Sequence, residues 1–249
     1  MTRLLLTGAA GFQASYIIRR LRAKYDLTLF DRAAPREEFS DLPFISGDIT
    51  RLEDVERAMK NCDAVVHLVA LVRGRDNLPL EAYCDVMVKG TWNVAHACAT
   101  QKVKRLVNIS SIVASGWPSS QSAPHRVDEK AEFGEADLFY SLAKNLGEAI
   151  GNAYHQAHGL DVIHLRPGVI ARDGANAEPQ PTDAPFWFIH VDPEDVAQAV
   201  EAALQSETRH GTFQIVAGRD DALFDWRESA EKIGYAPSHN WPEIPVAKS

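Results

Sequence analysis

The sequence predicts an α/β protein built on a doubly wound parallel sheet. Apolar runs of strand length alternate with helix-length segments along most of the 249 residues. Those runs are hydrophobic almost without interruption, as in strands covered on both faces. The first of them leads directly into a glycine-containing turn that opens a helix. Such alternation argues for right-handed strand–helix–strand crossovers.

Taken in order, strands are expected at 4–7, 27–31, 43–47, 64–68, 105–109, 161–165 and 212–216. Helical patterns lie between them at 12–25, 51–61, 80–101 and 139–158. A short aromatic strand (186–191), a helix (193–205) and a last helix (223–233) complete the chain. The acidic run Asp192, Glu194, Asp195 suits a helix start, where negative charge meets the positive end of the dipole. Three stretches break the alternation: 115–135, 168–185 and 217–222, rich in Ser, Pro, Gly and polar residues. Loops after strand ends carry the sites of such folds. The expected organisation is a nucleotide-binding core over 1–167. A small substrate cap over 168–249 is interleaved with the last core strand and helix.

Composition narrows the function. Hydrophobic residues make up 45% and charged residues 24%, which excludes a disordered, collagen-like or fibrous chain. With 26 Lys and Arg against 34 Asp and Glu, the net charge of −8 repels phosphate backbones, so no nucleic-acid partner is expected. Cys62, Cys84 and Cys98 are too few and scattered for a disulfide framework or zinc cluster and read as reduced, buried thiols. No apolar run approaches the ~18–20 residues that span a bilayer. The first residues lack a secretory pattern, so a cytoplasmic protein without a membrane partner is expected.

The turn Thr7-Gly8-Ala9-Ala10-Gly11-Phe12-Gln13-Ala14 suits a pyrophosphate. Gly8 permits the tight turn, and Gly11 lets the phosphate approach the amides at the helix's positive end. Ala14 stands where a third small residue allows close helix–strand packing. Asp31 closes the second strand about 20 residues on, where a carboxylate accepts both ribose hydroxyls of NAD and repels the extra phosphate of NADP. Arg32 follows and is placed to contact that phosphate, which leaves NADP open. Asp48 is positioned both for an adenine edge and for capping the helix near Thr50.

Tyr140 and Lys144 are four residues apart near the start of a long helix, so phenol and ammonium share one face. Tyrosine with a pKa of ~10 is no base at neutral pH. A neighbouring cation favours the phenolate, and a shift of ~3 units takes ~4 kcal/mol in a water-poor cleft. Tyr140 then removes a hydroxyl proton while hydride leaves for the nicotinamide. Ser110 and Ser111 end the fifth strand at its carboxyl edge, where a hydroxyl can hold the substrate oxygen.

These residues, with His67-Leu68-Val69-Ala70, Gly90-Thr91-Trp92-Asn93 and Arg166-Pro167-Gly168, occur in order. Together they resemble the extended short-chain dehydrogenase/reductases, the NAD-dependent epimerase/dehydratase family with a Rossmann core. The resemblance covers essentially the whole chain. It implies a catalytic triad of Ser111, Tyr140 and Lys144, with Lys144 also holding the nicotinamide ribose. It implies a cofactor bed that adds Ile49, Leu68, Val69, Ala70, Asn93, Ile109, Pro167, Gly168 and Val169. The resemblance further implies that Asn93 organises the active-site helix and that the two long helices pair across a two-fold axis, making a homodimer.

Departures from the family pattern are informative. Met87 stands where an Asn often precedes the Gly90-Thr91 pair. Ile112 and Val113 follow Ser111 where dehydratases carry acidic residues, which disfavours 4,6-dehydration. The short segment after Pro167 favours a small substrate over a nucleotide sugar. Among small members the chain resembles the uronate dehydrogenases, in its short cap, in Phe186-Trp187-Phe188 and in its Phe224-Asp225-Trp226 ending. The carboxylate-binding arginine of that group is absent: Thr182 and Asp183 lie there, leaving Arg73, Arg75 or Arg172 as substitutes. Substrate contacts are therefore expected from Arg73, Ser110, Ser111, Ile112, Arg172 and Trp187, with Trp117 and Trp187 able to stack on a sugar ring. His155 and His158 lack a third ligand, and His190 precedes only the acidic helix start, so no metal is expected. The function read from the sequence is an NAD-dependent oxidoreductase acting on a small sugar or sugar acid. An epimerase with bound NAD is the alternative, and a non-catalytic NAD sensor is disfavoured by the Tyr/Lys pair.

Overall fold

In the computed structural model, residues 1–71, 78–116, 125–127, 138–171 and 188–242 are described. Seven strands form one parallel sheet: β1 (Arg3–Thr7), β2 (Asp26–Asp31), β3 (Phe44–Ser46), β4 (Ala64–His67), β5 (Arg105–Ile109), β6 (Asp161–Pro167) and β9 (His210–Ile215). Their order is β3-β2-β1-β4-β5-β6-β9. A separate two-stranded sheet pairs β7 (Val169–Ile170) with β8 (His190–Val191). The doubly wound expectation holds, and β9 brings residues beyond 167 into the main sheet.

One face is covered by α1 (Phe12–Leu21), α6 (Pro193–Gln205) and α7 (Arg227–Ile233). The other carries α2 (Leu52–Met59), α4 (Gly90–Thr100) and α5 (Leu138–His158). Each helix turns its apolar stripe inward: Ile17, Ile18 and Leu21 from α1, Val196 and Val200 from α6, Val94 and Cys98 from α4. Burying one such side chain fully contributes about 1.5–3 kcal/mol. Asp192 caps α6 by accepting from Glu194 N at 2.8 Å, with Pro193 in the first turn.

Several expected elements change their bounds. The helix over 80–101 is interrupted: α3 (Leu80–Tyr83) runs through a π-helical stretch, Cys84–Lys89, into α4. Within this stretch the Met87 carbonyl accepts from the Thr91 hydroxyl at 2.6 Å. The last helix begins at Arg227 rather than 223, because Leu223 and Phe224 are buried against Ile112 and Val216 in a bend, with Phe224 bridged to His125. Of the aromatic strand, His190–Val191 is a strand and Phe188 makes an isolated bridge to Ala222, while 186–187 lie outside the described residues. The thiols are not uniformly buried. Cys98 is, Cys62 is half-buried, and Cys84 faces outward from the π-helical stretch. No helix among the described residues is long and apolar enough to cross a membrane.

β1 lies at the switch point of the sheet, with β2 on one side and β4 on the other. The carboxyl ends of strands at such a point form a crevice.

Candidate active site

Two adjoining cavities occupy that crevice, of about 180 and about 350 Å³, sharing Gly8, Gly11, Leu68 and Ala70. At one end lie Asp31, Arg32, Asp48 and Ile49, with Val69 alongside. At the other lie Phe12, Gln13, Ile109, Ser110, Ser111, Tyr140, Lys144, Pro167, Gly168 and Ile170.

The loop between β1 and α1 needs its glycines. Gly8 has φ +77, and a Cβ there would come within 3.0 Å of Val69 N. At Gly11 it would come within 3.1 Å of the Gly8 oxygen. Only a bare backbone allows the β1 and β4 loops to approach this closely. Behind them, Thr91 donates to Met87 O, so its oxygen accepts from His67 Nε2 at 3.1 Å. Nδ1 of His67 then accepts from the Thr7 hydroxyl at 2.7 Å. Burial pushes this imidazole down to about 3, so it is neutral and its tautomer is set by the two threonines. The chain joins β1, β4 and α4 directly beneath the loops.

The Asp31 carboxylate accepts from Ala10 N at 3.1 Å and from Ala33 N at 3.2 Å. It is thereby fixed at the cleft wall with Arg32 beside it. Asp48 lines the cleft, and its Oδ1 accepts from Thr50 N at 2.9 Å in a turn ahead of α2, whose N-cap position is Arg51 without a side-chain cap. Asn93 does not line the cleft. Its amide donates to Ile49 O at 2.9 Å and pins the loop that does.

At the other end, α5 brings Tyr140 and Lys144 onto one face, with Lys144 Nζ 5.9 Å from the Tyr140 ring centroid. Lys144 is buried and donates to Ile109 O at 2.6 Å. Burial pushes its ammonium down to about 8, against the pull of the Glu148 charge. Ser111 Oγ accepts from Val113 N at 3.4 Å, opening a short 3-10 turn, Ile112–Ser115. Its own hydrogen therefore remains available to the cleft.

Four expected contacts are placed differently. Ser110 borders the cleft, but its hydroxyl donates to Glu148 Oε1 at 2.5 Å and turns inward beneath α5. Ile112 is packed with Val216, Ala222, Leu223 and Phe224 in a core cluster and does not reach the cleft. Val169 is 47% exposed on β7, and its neighbour Ile170 lines the cleft instead, since successive strand residues face opposite ways. Asn93 is the fourth, as above. Arg73, Arg75, Arg172, Trp117 and Trp187 lie outside the described residues. Sequence reasoning missed Glu148, which the four-residue spacing from Lys144 signals, and the pairing of that carboxylate with Arg166.

An elongated cleft with a glycine cradle at its middle, a carboxylate at one end and a Tyr/Lys pair at the other fits a dinucleotide. Comparison with known proteins agrees. A family model, the NAD dependent epimerase/dehydratase family, matches residues 4–190. L-arabinose 1-dehydrogenase (NAD(P)(+)) of Haloferax volcanii is 24% identical over 254 residues, covering 96% of this chain and 98% of that protein. UDP-glucose 4-epimerase of Vibrio cholerae is 30% identical over 178 residues, covering 70% of this chain and 53% of that protein. Among solved structures, a mutated uronate dehydrogenase superposes with a TM-score of 0.78 at 22% identity, covering 96% of this chain and 82% of that one, a likeness of fold. The chain belongs to the NAD-dependent epimerase/dehydratase family.

Proposed function

We propose that the protein oxidises a hydroxyl of a small sugar or sugar acid, with NAD as cofactor. The observation that carries this reading is the meeting of Tyr140, Lys144 and Ser111 at one end of a cleft whose other end holds Asp31. Bound NAD supplies the hydride acceptor. Gly8 and Gly11 leave room for its pyrophosphate, and Asp31 takes the ribose hydroxyls. Ser111 donates to the substrate oxygen and aligns it with the phenol. Tyr140 removes the hydroxyl proton. Lys144 anchors the nicotinamide ribose, and its charge favours the phenolate.

A small substrate is supported by length. The match to the arabinose dehydrogenase spans nearly all of that protein, whereas the nucleotide-sugar epimerase has about half its length outside the match. The test is production of NADH by purified protein supplied with NAD and, in turn, L-arabinose, glucuronate, galacturonate and neutral hexoses. NADH formed with one of them supports oxidation. An inverted sugar formed without net NADH instead supports the epimerase reading, which the 30% identity to UDP-glucose 4-epimerase keeps in view. NAD bound with neither product revives the non-catalytic sensor.

We infer further that two copies pair through α4 and α5. Trp92 of α4, at 55% exposure, together with Phe139, Leu142 and Leu146 of α5, leaves exposed apolar side chains on these packed helices. A two-fold axis lays such a surface on itself. A cytoplasmic setting, with NAD and a reducing environment for the three free cysteines, suits this reading.

A further inference from the structure

Beneath the cleft is a buried charge cluster for which the proposed chemistry has no use. Glu148, 5% exposed, sits one helical turn beyond Lys144 on the sheet-facing side of α5. Its Oε1 accepts from Ser110 Oγ at 2.5 Å and Arg166 Nε at 2.8 Å, and its Oε2 accepts from the second nitrogen of the fork at 2.7 Å. Burial alone would raise this carboxyl, but the Arg166 fork holds it below the usual range. Stability does not require such an ion pair, since apolar residues of similar volume often serve as well or better.

The geometry points to another use. Ser110 directly follows Ile109, whose carbonyl takes the Lys144 ammonium. Lys144 and Glu148, on successive turns of α5, thus hold two successive residues at the end of β5. The titratable groups around Lys144 among the described residues come from three elements. These are Tyr140 and Glu148 on α5, His67 on β4, and, behind Glu148, His164 and Arg166 on β6. His67 is neutral, and Glu148 is the anion of the set.

We infer that Glu148 is a positioning residue that keeps Lys144 protonated and seated on the Ile109 carbonyl, so that the amine can grip the cofactor ribose. This rests on the role of Lys144 given above. Arg166 keeps Glu148 ionised, and Ser110 fixes the carboxylate to the strand that carries Ser111. Without the carboxylate, the buried ammonium faces its desolvation cost alone, with Arg166 left as an unpaired cation behind it.

The test is NADH affinity, read by the fluorescence of the bound nucleotide from about pH 6 to about pH 10. In the wild type, affinity falls on the alkaline side as Lys144 loses its proton near pH 8. Glu148→Gln moves that fall at least about one pH unit lower, an affinity at least about fivefold weaker at the wild-type midpoint. Glu148→Asp, which retains the charge, restores the midpoint to within about half a unit. Should Glu148→Gln fail to fold, the double variant Glu148→Gln/Arg166→Met removes both buried charges and must still move the fall downward, by less than the single variant because no unpaired cation remains behind Lys144. Uniform weakening with an unmoved midpoint means a merely structural role and overturns the inference. Lys144→Met separates the two claims. If it abolishes the alkaline fall while Glu148→Gln leaves the fall in place, the inference alone fails. If Lys144→Met leaves affinity and profile as in the wild type, the ribose-anchoring role itself fails.

Discussion

Lys144 Nζ donates to the main-chain oxygen of Ile109 across 2.6 Å, which fastens α5 to the carboxyl end of β5. One turn earlier on the same helix face is Tyr140, so this single bond sets the phenol relative to Ser111. Tyr140→Phe removes the proton acceptor and leaves the ring in place. Turnover should fall by about 10²–10⁴, the usual worth of a positioned acid–base group, while NADH affinity stays within about twofold. Steady-state kinetics and nucleotide titration check this, and undiminished turnover would remove Tyr140 from its role.

In the proposed function, Asp31 carries the choice of cofactor. Its carboxylate accepts from Ala10 N and Ala33 N, so Asp31→Ala removes both a ribose partner and two loop anchors. Affinity for NAD should drop by about 1.5–3 kcal/mol for the lost charged contact. With the repulsion gone and Arg32 beside the site, the NAD/NADP ratio of kcat/KM should narrow. A ratio equal to that of the wild type contradicts the assignment.

Acid should destabilise the fold before its carboxylates titrate. Burial pushes His67 to about 3 and His164 to about 4, whereas the unfolded chain protonates both near ~6.5. Below that value the unfolded state binds more protons, so stability falls as the pH falls, by up to ~1.4 kcal/mol per pH unit for each imidazole. Urea unfolding at about pH 7 and about pH 5 should therefore differ by roughly 4 kcal/mol. His164→Gln should about halve that difference. Equal stability at the two pH values would mean that these rings are charged or hydrated in the native protein.

Gly168 keeps β7 against β8. A Cβ there would lie 2.2 Å from the Ile189 carbonyl oxygen and 3.0 Å from Val216. Gly168→Ala must push the strands apart, at about 1–3 kcal/mol. Because Gly168 also borders the cleft, the melting temperature should fall and the substrate KM should rise together. A variant unchanged in both would show that the two-stranded sheet does not shape the site.

The exposed apolar side chains of α5 give an independent prediction. Leu142→Glu with Leu146→Glu places four charges across a two-fold contact between α5 helices. Light scattering should show the wild type as a dimer and this variant as a monomer with its helical content retained. A wild-type monomer sinks the pairing.

Much of the fold was legible because parallel strands buried on both faces leave continuous apolar runs, and glycines mark the turn between β1 and α1. The Gly8/Gly11 loop, Asp31, Ser111, Tyr140 and Lys144 could be read for the same reason: their spacing is local, and one helix turn or one strand end brings each into place. Leu223 and Phe224 misled because their apolar spacing suits a helix, while their burial is against Ile112 and Val216, ahead of where the helix begins. Ile112, Val169 and Cys84 misled because hydrophobicity predicts burial without saying which surface receives it.

What the sequence determined by itself is the order of elements, the glycine loop after β1 and the pairing of phenol with amine, all properties of neighbouring residues. Tertiary structure alone decided that the Ser110 hydroxyl turns from the cleft to Glu148, that Arg166 pairs with that carboxylate and keeps it ionised, and that Thr7 and Thr91 choose the tautomer of His67. The reason is physical: a buried polar group must find its partner wherever packing brings one, and those partners come from strands and helices far apart along the chain.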